Sequence, residues 1–170
     1  NSAVNSCYSH VEGHSNQAIS AESSHVGGSN SKAIGNNAFV HGSNSVAFEN
    51  AIAIGKSTYA KAGFATGINT SSYGIGAFAT GSKTIANANY SVAEGEGSIS
   101  NGQGAHAEGK ESKAYGKYSH AEGFSVTGSN TNTDLGFYSH AENKSTVLGT
   151  YSHAENNAQI TETANYAHAE

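Results

Sequence analysis

The chain has 170 residues, a formal net charge of −5, one cysteine, and no proline, tryptophan, methionine or arginine. Its lysines are scattered singly, which excludes the clustered positive charge that a nucleic-acid surface or an anionic membrane requires. The lone Cys7 excludes an intrachain disulfide and a metal centre built on several thiolates, and is expected to be a small buried residue. Bulky apolar residues are too few for an ordinary globular core, and no apolar run reaches the length of a membrane span.

In chain order, residues 1–28 read as irregular repeats, with a clear motif at Tyr8-Ser9-His10-Val11-Glu12-Gly13 and a worn one from Ala18 to Glu22. Residues 1–7 lack the charged and apolar regions of a signal peptide. Residues 29–123 are regular, with alanine returning at every fourteenth position (Ala65, Ala79, Ala93, Ala107 and Ala121) and glycine two places later at Gly67, Gly81, Gly95, Gly109 and Gly123. Small residues two places before each alanine (Gly63, Ala77, Ser91, Ala105, Ser119) complete an alternation of small and large. Such alternation is that of a strand with two different faces.

A second small set, Thr58, Ser72, Ala86, Ser100 and Ala114, runs half a period out of phase, so each coil holds two short strands. A unit this short must stack on its neighbours. The reading is therefore all-β, a β-solenoid of about twelve coils and about 55–60 Å at one strand spacing per coil. Its interior has room only for Ala, Ser, Thr or Gly, and larger side chains point outward.

Among the outward residues, Val46, Phe48, Ile52 and Ile54 are expected to form one continuous apolar stripe, thinly continued by Ile85 and Ile99. An exposed stripe of this kind marks an interface, and placing three copies around a common axis buries it along the whole fibre. Residues 124–137 break the spacing and are expected to be an inserted loop of turn composition. Residues 138–170 resume the repeat at Ala141, Ala154 and Ala169, with intervals one place off the regular period. The chain stops within a motif, which predicts a fragment of a longer fibre.

The combination of half-units such as Asn44-Ser45-Val46-Ala47-Phe48 and Asn50-Ala51-Ile52-Ala53-Ile54-Gly55 resembles the head repeats of YadA-like trimeric adhesins. Tyr118-Ser119-His120-Ala121-Glu122 is similar to the variant of phage tail fibres and bacterial surface proteins. The resemblance implies a left-handed parallel β-roll, a homotrimer, and an extracellular place on a virion tail or bacterial surface. It carries over no stalk, neck or membrane anchor, because none is recognisable.

The residues that invite chemistry are the recurrent pairs His10/Glu12, His106/Glu108, His120/Glu122, His140/Glu142, His153/Glu155 and His168/Glu170. Stacked coils would place His above His and Glu above Glu at about 4.8 Å. Such a ladder could form a polar layer of hydrogen bonds between chains, or hold a metal or an anion. Catalysis fits it poorly, since catalytic sites are single constellations; no catalytic residue and no cofactor is assigned. Tyr8, Tyr90, Tyr118, Tyr138, Tyr151 and Tyr166 enter the strands at turns and either cover the coil edge or stack on sugars. His14, His25 and His41 lack partners at metal-ligand spacing and read as surface or turn residues. Three Asn-x-Ser triplets, beginning at Asn69, Asn89 and Asn143, are expected by chance in so Asn- and Ser-rich a chain.

The expected function is a structural or adhesive fibre segment that attaches to a host cell or surface through a receptor, glycan or matrix protein, and not an enzyme. The alternative is a polysaccharide-binding or polysaccharide-degrading tail-spike module, which would concentrate acids and aromatics in one groove. No nucleic acid and no membrane insertion are expected.

Overall fold

The computed structural model describes residues 3–5, 7–19, 22–129 and 135–170. Among them the chain forms two parallel sheets of twelve strands each, one running from Ala3–Asn5 to Gln159–Ile160 and the other from His10–Val11 to His168–Ala169. Strands alternate between the sheets along the sequence, so each coil contributes one strand to each. The chain is a parallel β-solenoid of about 11 turns with about 14 residues per turn. Eleven steps between twelve strands give a rod about 53 Å long at about 4.8 Å per step.

The alternation of small and large residues sets the two faces of each strand. Ala65, Ala79, Ala93, Ala107 and Ala121 stack directly on one another and are fully buried. Opposite them lie Ala60, Ser72, Ala86, Ser100 and Ala114, also fully buried. Interior serines are tied to backbone: Ser45 Oγ donates to the Gly55 carbonyl and Ser98 Oγ to that of Gly109, at 3.1 Å each. Val26, Val40 and Val147 are buried as well. The coils near both ends are thus roomier than the Ala/Ser/Thr/Gly rule expects.

Glycine fills one column of tight turns in the middle coils. At Gly95 the backbone has φ of 99°, and a Cβ would strike the carbonyl oxygen of Gly109 in the next coil. Beyond Gly123 the column passes to Asn143 and Asn156, which hold the left-handed conformation with φ of 51° and 57°, as Asn tolerates better than most residues.

Four expectations are corrected. Thr58 does not stack on Ser72; Ala60 does, because the coil from Ala53 to Ala65 is two places short of the regular period and shifts the phase. The apolar stripe is not one stripe. Val46 lies on the first sheet, in the row that continues through Tyr59, Ser71, Ile85 and Ile99, with Phe48 following its strand; Ile52 and Ile54 lie on the second sheet, whose outer face points the opposite way.

The inserted loop is shorter than 124–137, because Val126–Thr127 is a strand paired with Lys113–Ala114 and with Thr146–Val147. The chain leaves the stack after Gly128, whose N–H donates to the Val147 carbonyl, and is back at Gly136, bonded to the next residue's carbonyl, that of Leu148. Most of the polar stretch expected to bulge, residues 130–134, lies outside the described residues. Cys7 is exposed rather than buried, because it sits in a turn between strands and not at an inward position.

Candidate functional site

The outer face of the second sheet carries two parallel rows. One row reads His10, His25, Phe39, Ile52, Phe64, Phe78, Val92, His106, His120, His140, His153 and His168, each on the next by strand register. Two residues along, the second row includes Glu12, His41, Ile54, Thr66, Thr80, Glu94, Glu108, Glu122, Glu142 and Glu155. One face therefore has an apolar middle with imidazoles and carboxylates at both ends.

Stacking fixes the geometry. From His106 to His168 the imidazoles lie parallel within 4° to 6°, with centroids 4.7 to 5.0 Å apart. Each Nε2 faces a carboxylate of the neighbouring rung: His106 to Glu94 at 3.3 Å, His120 to Glu108 at 3.4 Å, His140 to Glu122 at 4.0 Å, His153 to Glu142 at 3.4 Å and His168 to Glu155 at 3.7 Å. The sequence pairs each His with the Glu two residues on. The structure adds the Glu of the preceding coil, often at shorter range.

The crowding shifts protonation. Burial, and then the imidazole of His106, hold His120 below the ordinary histidine value; burial, His120 and His153 do the same to His140. Glu122 is pushed up to about 7, first by its hydrogen bond with Glu142 and then by burial. Glu142 is correspondingly lowered by that bond. Two imidazoles disfavoured as cations thus stand beside one hydrogen-bonded pair of carboxylates, Glu122 and Glu142.

His25 and His41 are not isolated surface residues. His25 stacks on His10 and Phe39, with centroids 5.2 and 4.8 Å away, and its Nε2 lies 3.9 Å from Glu12. Donor atoms of Glu12, His25 and His41 converge within 4.8 Å of one another. The signal available in the sequence was the step from His10 to His25, one place longer than the regular period and therefore hidden by it.

The tyrosines occupy the other feature of interest. Tyr90, Tyr118, Tyr138, Tyr151 and Tyr166 have φ of 51° to 59°, and half or more of each is exposed. Tyr118, Tyr138, Tyr151 and Tyr166 form one stack at 5.0 to 5.2 Å. Within that stack the inner ring faces are covered by one another, while Tyr90 lies outside it.

These coils, with their buried alanines, turn glycines and two-faced strands, match the family model described as YadA head domain repeat (2 copies) over residues 27–48, 72–95 and 93–121. Those segments are YadA-like head repeats. A YadA head repeat implies an adhesin-type role. The matched segments include Phe39, Phe78 and Val92 of the apolar middle, leave out Ile52 and Phe64, and reach His106 and His120 at its polar end. No curated protein matches the chain. Among solved structures, the chain is 10% identical to the polySia specific acetyltransferase NeuO over 94% of this chain and 78% of that one; the TM-score of 0.18 carries no argument.

Proposed function

We propose that this chain is a stiff, non-catalytic segment of a trimeric surface fibre, an adhesin head or phage tail fibre that works outside the cell and attaches to a receptor, glycan or matrix protein on a host. The observation that carries the reading is the single outer face on which Phe39, Ile52, Phe64, Phe78 and Val92 stand in one row. In one chain these side chains stay partly open to solvent, and an apolar row of this length favours association. Three copies around an axis would bury it along the rod. The His/Glu rungs would then continue the seam as polar layers that fix the register.

Sedimentation equilibrium tests the assembly. The expected result is three times the chain mass near neutral pH, falling to one in a Phe64→Lys/Phe78→Lys variant; a monomeric parent overturns the trimer. Attachment is tested with beads coated in the chain on host-cell, glycan and matrix-protein surfaces. Retention above uncoated beads supports the adhesive role, and none on any surface overturns it.

A further inference from the structure

Three donor atoms meet twice around one residue. His106, Glu108 and His120 form one set, His120, Glu122 and His140 the next, and within each set all donors lie within 4.8 Å of one another. His120 belongs to both. We propose that His120 anchors a site for one transition-metal ion of the Zn2+ class, completed either by His106 and Glu108 or by His140 and Glu122. The proposal concerns donors of a single chain and stands apart from the trimer reading.

The distances suit shared coordination. Bonds of about 2.0–2.1 Å in tetrahedral geometry put ligand atoms about 3.3 Å apart. His120 Nε2 lies 3.4 Å from Glu108 and 3.8 Å from Glu122, and His106 Nε2 lies 3.7 Å from Glu108. The two imidazole rings of a set lie parallel with centroids 4.7 to 4.8 Å apart. Drawing their nitrogens together takes a tilt about χ2, a soft torsion for histidine.

A second observation points the same way. The Nε2 atoms of His120, His140 and His153 are sealed from solvent and make no well-formed hydrogen bond, their facing carboxylates standing 3.4 to 4.0 Å away. Buried polar atoms without partners call for an explanation, and an ion is one. Two nitrogens and one oxygen select Zn2+, Co2+, Ni2+ or Cu2+ over the oxygen-seeking Ca2+ and Mg2+.

The shared residue makes the test specific. One lone pair cannot serve two ions, so the two sets exclude each other and this stretch takes one. Titration of the chelator-treated full chain with Zn2+, read by calorimetry, should show one more ion per chain than His120→Val. His106→Val and His140→Val should each keep that ion, since each leaves one set whole, whereas the His106→Val/His140→Val double variant should lose it. Valine suits these places because Val92 already occupies the same row, and circular dichroism checks that each variant is folded. Co2+ in place of Zn2+ should give the intense visible absorption of four-coordinate cobalt in the parent and not in His120→Val. A parent that binds no Zn2+, a His120→Val chain or double variant that binds as many ions as the parent, or equal binding of Ca2+ would each overturn the proposal.

Discussion

The imidazole of His140 lies over that of His120 with ring centroids 4.7 Å apart and planes within 4°. Burial is the main reason each is held below the ordinary histidine value, with the charge of His106 added at His120 and those of His120 and His153 at His140.

Opposed pH responses follow. For His120 and His140, with folded values below 6.5, the unfolded chain takes up protons first as pH falls, so acid lowers stability through that range. Glu122 acts in the other direction: raised from 4.5 to about 7, it is protonated first in the folded state, and stability rises as pH falls between those values. As pH falls below about 7 the Glu122 effect therefore opposes that of the histidines and of the lowered Glu142. Relative to the parent, melting temperature should fall more steeply with acid in Glu122→Gln and less steeply in His120→Val/His140→Val. Parallel curves for all three proteins would contradict the assignment.

Ala107 is fully buried between Ala93 and Ala121. The added carbons of Ala107→Leu have no space in the narrow coil, and overpacking should cost about 1–3 kcal/mol or more. Denaturant unfolding measures the loss. A midpoint equal to the parent's would mean that the coil is wider than its alanines require.

Gly95→Ala tests the turn column. The substitution adds both a left-handed backbone penalty and a collision with the Gly109 carbonyl, and the backbone strain alone is worth about 1–3 kcal/mol. Gly95→Asn should be milder in backbone terms yet still meet the same carbonyl. Thermal melting should rank the parent above both variants.

Thr70 is fully buried and its hydroxyl has no hydrogen-bond partner, as is also true of Thr58 and Thr84. Where serine stands in the same column, Ser98 and Ser112, the hydroxyl reaches a glycine carbonyl. Valine keeps the threonine shape without an unpaired hydroxyl, and an unsatisfied buried group costs about 1–3 kcal/mol. Thr70→Val should leave stability unchanged or raise it by up to about that amount. A clear loss would show that the hydroxyl is satisfied in solution.

Much of this was written in the sequence because its strongest signals are local. The return of Ala65, Ala79, Ala93, Ala107 and Ala121 with a glycine two places on is sufficient to place small residues inside and to space the coils, since a two-residue alternation assigns every side chain of a strand to one face or the other. The same logic put His106 on His120 and Glu108 on Glu122. What the chain alone did not decide depends on turn length. Coils slightly shorter or longer than the regular period move the register without leaving a mark in composition, so only the paired strands set Ala60, not Thr58, beneath Ser72 and brought His25 to His10 and Glu12. Alternation also says that Val46 and Ile52 both point outward, but not from which sheet. Two sheets back to back send them to opposite sides of the rod, and that separation, together with the approach of each His to the Glu of the preceding coil, exists only once the coils are stacked.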